Sequence, residues 1–381
     1  GNVAAEDLAL PAPAVGGRYT RKRKVAAFFI DALGWTLIEK LLGKSALLNY
    51  LETNGTLSQL TTQFPSSTPV MVTTMSTGQP MHQHGIPELD YYEPTTGHVL
   101  NPLFYRFTDT KEQPLEMQAG GFYPPSGGAF WRELAENGAA PKLFLPQHIA
   151  YSTFNKFMNK GATQIGFDSD NLDDGLEKMR VAFNSAQEGS LLYFYTPILD
   201  QTCHYQGPES TLAFAAAENI LDRIWKKFVC NELRDTQETS IVLFADHGQM
   251  TEDRTDHISL SGQNGLGRYL RRTRDFAPIV MTGGPRSPFL YAKDECADEL
   301  CEKLSAQLGE RALVAKTSEL LGSGIFGTNP SDRLLERLPN IILLPRGNRT
   351  AWWWSDYRNG TCGQHGGLTP SEMLIPFGHA N

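Results

Sequence analysis

The chain has 381 residues, 40% hydrophobic and 20% charged, with a net charge of -8. That is enough apolar material for a packed core, and the acidic balance disfavours general binding to nucleic acid or anionic membrane. No apolar run is long enough to span a bilayer, and the five cysteines include no CxxC pair, so a membrane anchor, a disulfide framework and a zinc finger are not expected.

Residues 1–20 are rich in Pro, Gly and Ala and read as a loose arm. The basic cluster Arg21 to Lys24 then leads into VAAFFI, an uninterrupted β-branched and aromatic run of the kind found in strands buried on both faces. SLLYFYT (190–196) and SIVLFAD (240–246) repeat that pattern, and TLAFAAAENILDRIWKKFV (211–229) carries apolar residues at helical spacing. Buried strands alternating with amphipathic helices predict an α/β fold, a doubly wound and mostly parallel sheet with helices on both faces. Residues 255–350 change character, from a polar, Arg/Gly-rich entry to alternating short strands and helices, and read as an inserted α/β cap. The catalytic core is then 21–254 together with 351–381. Trp352, Trp353 and Trp354 are expected to pack at the junction rather than stack a base.

Acids follow each of the three buried strands. VAAFFI ends in Asp31, SLLYFYT leads to Asp200, and SIVLFA ends in Asp246. In an open parallel sheet the ligand crevice lies at the carboxyl ends of the strands. Three carboxylates converging there repel one another unless a cation sits between them. His204 follows Asp200 by four residues and shares its helix face, His247 adjoins Asp246, and His365 lies between Gln and Gly residues in GQHGG. Oxygen and imidazole donors in this number suit two divalent ions with open positions.

The stretch FPSSTPVMVTTMSTG (64–78) adds hydroxyls at the mouth of a short helix. Capping explains them, and so does a nucleophile held where phosphate binds. His82 and His84 read as loop packing. His257, at the cap entry, and Glu88, in HGIPEL, are candidate substrate contacts; His98, His148 and His379 carry no supporting pattern.

Taken together, FFID, FPSSTPVMVTTMSTG with HGI, D-x-x-x-H, ADHG and the late HGG-x-x-x-x-E-M resemble the alkaline phosphatase superfamily. Within it they are most similar to the type I phosphodiesterase and nucleotide pyrophosphatase enzymes. The resemblance covers residues 25–90, 190–250 and 361–377. It implies an alkaline-phosphatase-like fold and a metal-dependent phosphoric ester hydrolase that cleaves phosphodiester or pyrophosphate bonds. One metal would be held by Asp31, Asp246, His247 and the nucleophile, the other by Asp200, His204 and His365. The family's nucleophile stands ten residues before the glycine that ends the helix, which selects Thr68 by counting back from Gly78. Zinc is the expected metal, with manganese as the alternative. The expected partner is a small phosphorylated substrate, with no stable nucleic-acid or membrane partner.

Two departures bear on the substrate. Leu89 stands where nucleotide pyrophosphatases carry an Asn that holds a phosphoryl oxygen, and the Arg of true alkaline phosphatases and of sulfatases is not found near Thr68. A phosphomonoesterase or phosphomutase on the same scaffold is therefore the rival reading, and a non-catalytic binding protein a third. Reduced thiols predict a cytoplasmic setting, with a secreted or periplasmic chain as the alternative.

Overall fold

The computed structural model describes residues 24–115, 119–186, 189–230, 239–261, 265–280, 282–353 and 360–380. The expected arm at 1–20 and Trp354 lie outside them. VAAFFI forms most of the strand Lys24–Ile30, which sits centrally in a seven-stranded sheet. Ser190–Thr196 and Thr239–Phe244 flank it in parallel. Lys142–Pro146 and Thr163–Phe167 continue the parallel array beyond Ser190–Thr196. On the other side Leu374–Ala380 runs antiparallel between Thr239–Phe244 and the edge strand Gly55–Thr61. The sheet is thus mostly parallel, with one reversed strand.

The central run is continuous because both faces are covered. Ala26, Phe28 and Ile30 join Leu192 and Phe194 under the helices Ala46–Asn54, Leu172–Asn184 and Thr211–Ile224. Ala27 and Phe29 face the other way, among Leu143, Leu145, Tyr193, Tyr195 and Trp131 of the helix Ala129–Glu136. Burying each such aliphatic or aromatic side chain contributes roughly 1.5–3 kcal/mol before the entropy of ordering is counted. The Thr68–Thr77 helix lies against this second face through Val72 and Met75.

Residues 282–345 build a second, four-stranded antiparallel sheet, in the order Thr282–Gly284, Ser287–Leu290, Ile341–Pro345, Ala312–Lys316. The helix Ala297–Leu308 covers one face through Leu300, Leu304 and Leu308. The other face, through Phe289, Ile342 and Leu344, packs on Phe64 and Val70, which bracket Thr68 in sequence. Trp352 is buried beside this unit, and its indole N–H donates to Thr350 Oγ1 at 2.9 Å.

A three-stranded sheet, Tyr91–Glu93, His98–Asn101 and Arg106–Phe107, was not legible in the sequence. Strands this short are too brief to display a period. Its own apolar cluster includes Tyr91, Leu100, Phe122 and Phe154. A buried ion pair, Arg337 Nη2 to Glu93 Oε2 at 2.6 Å, stitches it to the 282–345 unit. Among the described residues no helix is long and apolar enough to cross a membrane.

Candidate metal centre and catalytic site

Strand register brings the acids together. Phe29 pairs with Phe244, so two steps further along each chain Asp31 and Asp246 leave the sheet at the same level. Asp200 reaches the same edge from the first turn of the helix Ile198–Gln206, which follows Ser190–Thr196. Asp31 and Asp246 are almost completely buried. Asp31 Oδ2 accepts the Tyr195 hydroxyl at 2.5 Å, and Asp246 Oδ1 accepts the backbone N–H groups of Ala32 at 3.1 Å and His247 at 3.0 Å. Their remaining oxygens, Asp31 Oδ1 and Asp246 Oδ2, are buried without a hydrogen-bond partner. An unpaired buried carboxylate oxygen is costly, and a bound cation removes that cost.

The three histidines are pinned in one way. Nδ1 of His204 lies 2.9 Å from Gly363 O, that of His247 lies 3.1 Å from Gly248 O, and that of His365 lies 2.9 Å from Ser66 O. Each backbone acceptor fixes the proton on Nδ1 and leaves Nε2 as a free donor atom for a metal. His247 Nε2 lies 3.2 Å from Asp246 Oδ2 and 3.6 Å from Asp31 Oδ1. Nε2 of His204 and of His365 lie 3.5 Å and 3.9 Å from Asp200 Oδ1.

Two groups of ligand atoms are compact to within 4.8 Å, Asp31 with Asp246 and His247, and Asp200 with His247 and His365. The first matches the expected split. In the second, His247 stands in the compact set and His204 flanks Asp200 from its own helix. The His247 and His365 rings stack with centroids 3.7 Å apart, and His247 belongs to both groups.

The electrostatics fit a cation. Burial, then repulsion from Asp246 and Asp200, holds the Asp31 carboxyl well above the usual carboxylate range. Burial likewise pushes Asp246 up to about 7. Burial acts on Asp200 in the same sense, but His204, His365 and His247 outweigh it and bring Asp200 below its ordinary value. Burial lowers His247 to about 4 and His365 well below its ordinary value, so both rings are neutral, the form that ligates metal.

Thr68 is the first residue of its helix, half-buried, with Oγ1 3.1 Å from His247 Nε2. Ser66 and Ser67 are buried and turned elsewhere. Ser66 Oγ donates to Gly367 O at 2.9 Å and accepts the Gly366 N–H at 3.1 Å, while Ser67 Oγ donates to Glu88 Oε2 at 2.9 Å. Neither serine caps the helix through its side chain. Side-chain capping therefore does not explain these hydroxyls, and Ser67 and Thr68 at the helix mouth line the cleft.

Glu88 lines the cleft in front of Thr68, whereas His257 is not among the lining residues and offers its carbonyl to Arg311 at 2.8 Å. His84 is buried, its Nε2 3.2 Å from Val70 O and its Nδ1 accepting the Ile86 N–H, and so is a packing residue. His148 lines the cleft although no sequence pattern marked it.

Sequence reading missed the residues that hold the ligands. Tyr195 was visible only as part of an apolar strand, and Gln249, whose Nε2 donates to Asp200 Oδ1 at 2.6 Å, only as the residue after ADHG. A buried knot ties the late HGG loop. Glu372 accepts from Gly367 N at 2.9 Å and from Thr369 Oγ1 at 2.7 Å, its carbonyl accepts the Gly248 N–H at 2.9 Å, and Arg286 grips its two oxygens at 3.0 and 2.9 Å. The loops of His247 and His365 thus share one anchor. Arg286→Met leaves the Glu372 charge buried and unpaired, and should cost about 3 kcal/mol or more in urea denaturation. Metal affinity by chelator competition should weaken with it; unchanged affinity would show that the knot does not position the histidines.

A family model described as type I phosphodiesterase / nucleotide pyrophosphatase matches residues 25–367. No curated protein matches the chain by sequence. Among solved structures, murine ectonucleotide pyrophosphatase / phosphodiesterase 5 is similar at 17% identity with a TM-score of 0.67, over 93% of this chain and 87% of that one. It has also been solved as an inactive variant, with alanine replacing a threonine, in complex with AMP. Phosphonoacetate hydrolase from Sinorhizobium meliloti 1021, in complex with phosphonoacetate, is similar at 18% identity with a TM-score of 0.66, over 96% of this chain and 92% of that one. These likenesses concern the fold. The family pattern extends from the first core strand through the HGG loop, and on that ground the protein belongs to the type I phosphodiesterase/nucleotide pyrophosphatase family of hydrolases.

Proposed function

We propose that the chain cleaves the phosphodiester or pyrophosphate bond of a small phosphorylated molecule through Thr68, with two divalent ions. The ions would be zinc or manganese, one held by Asp31, Asp246, His247 and Thr68, the other by Asp200, His204 and His365. The observation that carries this reading is the Thr68 hydroxyl, 3.1 Å from His247 Nε2 at a helix mouth, beside buried aspartate oxygens that lack a partner. Two divalent charges against three aspartates leave one positive charge; when bound, the ions favour the ionised hydroxyl and stabilise the phosphoryl oxygens.

Thr68 Oγ attacks phosphorus in line, and the ester oxygen departs with the bonding pair. Water then cleaves the phosphothreonine and restores the hydroxyl. The helix N-terminus adds partial positive charge at the phosphoryl group. The AMP-bound and phosphonoacetate-bound neighbours support a small phosphorylated or phosphonate substrate. The cap, residues 255–350, would choose the substituent, a reading supported by Gly284 and Pro285 lining the cleft.

A phosphomonoesterase or phosphomutase needs a cation for the second phosphoryl charge, and no Lys or Arg is found among the described residues lining the cleft. Bis-p-nitrophenyl phosphate should therefore be hydrolysed faster than p-nitrophenyl phosphate, with activity lost to a chelator and restored by zinc or manganese. Faster monoester hydrolysis, or indifference to the chelator, would refute this reading.

A further inference from the structure

The cleft does not end at Thr68. A cavity of about 560 Å³ runs from the aspartates into the space between the Thr68–Thr77 helix and the second face of the sheet. That is a volume typical of a pocket for a whole small molecule, several times what a phosphoryl group fills. Its walls are Val72, Trp131, Leu143, Leu145, Ile149 and Tyr193. Phe104 at its edge is 60% exposed, with the Arg106 guanidinium 5.3 Å from its ring centroid.

Ser76, Asn159 and Asn155 in this arm are engaged with one another, while the Trp131 indole N–H is buried without a hydrogen-bond partner. Ser76 Oγ donates to Asn159 Oδ1 at 3.2 Å, and Asn159 Nδ2 donates to Asn155 Oδ1 at 3.0 Å. The carboxylates lining the cleft are Asp31, Glu88 and Asp200, the imidazoles are His148, His204 and His365, and no Lys or Arg is among the described lining residues. Buried Glu88 adjoins Gly284 in the cleft lining, where a Cβ built on the glycine would lie 2.9 Å from its Oε1.

We propose that this arm receives an uncharged, largely apolar alkyl or aryl substituent of the phosphoester and rejects a second anionic group; the inference rests on the phosphodiesterase reading above. A carboxylate or second phosphate in the arm would be desolvated against leucine, isoleucine and valine with no Lys or Arg lining the cleft, which is unfavourable. An alkyl chain or aromatic ring there gains the apolar burial instead.

The probes are two inert analogues with one sizeable substituent each, methyl hexylphosphonate and methyl (5-carboxypentyl)phosphonate. Binding to the metal-loaded protein is measured by calorimetry, and inhibition against bis-p-nitrophenyl phosphate hydrolysis. The hexyl compound should bind at least about tenfold tighter. Ile149, half-buried on the wall, offers a gain-of-function control. Ile149→Lys should shrink or reverse the preference, and the uncharged Ile149→Gln should not. Wild-type protein that hydrolyses the diester but binds both analogues equally would overturn the arm alone, as would a preference unchanged in Ile149→Lys. Protein that turns over no phosphodiester would overturn the reading beneath it as well.

Discussion

Thr68→Ala should reduce phosphodiester turnover on the order of 10⁴-fold while leaving the fold intact. The loss follows from the role proposed for Thr68 Oγ as the atom that bonds to phosphorus. The fold should persist because Thr68 is half-buried at the first helical position and its side chain makes no cap bond. Alanine is moreover the best helix former, so the expected stability change is about 1 kcal/mol, the worth of the contact with His247. Thr68→Ser keeps the oxygen and should retain part of the activity. Ser66→Ala and Ser67→Ala remove bonds to Gly367 and Glu88 instead, so they should lower stability by about 1 kcal/mol each and remain active. Acid-quenched wild-type protein should carry one phosphoryl group on the Thr68 peptide by mass spectrometry, and Thr68→Ala none. Near-normal rates in Thr68→Ala would leave a water molecule as the attacking group.

The second large effect concerns the aspartates without metal. Folding raises the Asp31 and Asp246 carboxyls, Asp246 from 3.8 to about 7, so the folded chain holds protons that the unfolded chain has released. Stability from these groups is present at low pH and is lost as pH rises through the shifted values. His247 and His365 act in the opposite sense, since their lowered values cost stability as pH falls below 6.5. The unfolded imidazoles are still half protonated at pH 6.5, so the histidines drop out only about one pH unit above it and offset part of the carboxyl effect below that. Chelated protein should therefore lose thermal stability through the raised Asp31 and Asp246 carboxyls as pH rises above about 7 towards 8. Metal-loaded protein should not, because bound cations favour the ionised carboxylates, and saturation at a hundredfold excess over Kd adds about 2.7 kcal/mol. Asp31→Asn removes one buried like charge and keeps an acceptor for Tyr195. The chelated variant should melt higher than chelated wild type at pH 8, yet bind metal poorly and be inactive. A lower melting temperature would mean that the aspartates do not repel one another in the folded chain.

Strand-end acids were legible because a strand buried on both faces must be apolar throughout, so Asp31 and Asp246 mark where the run leaves the core. The spacing of Asp200 and His204 was legible because a helix repeats its face every three to four residues. Thr68 needed more, since three hydroxyls in a row are equivalent in a linear text. In the folded chain Ser66 turns to Gly367 and Ser67 to Glu88, which leaves Thr68 beside His247. These partners lie far away in sequence and meet only because the HGG loop and the Glu88 turn close over the helix mouth.

Local pattern thus determined the mostly parallel sheet, the helices on its two faces and the strand-end acids proposed to hold metal, because periodicity and strand-end placement are short-range properties. Tertiary structure alone decided which atoms face one another: the common Nδ1 anchoring of the three histidines, the Arg286–Glu372 knot, and a cleft whose apolar wall is drawn from helices and strands between residues 72 and 193. Each depends on groups separated by tens to hundreds of residues, whose approach is set by packing the two layers on the sheet and not by any local preference of the chain.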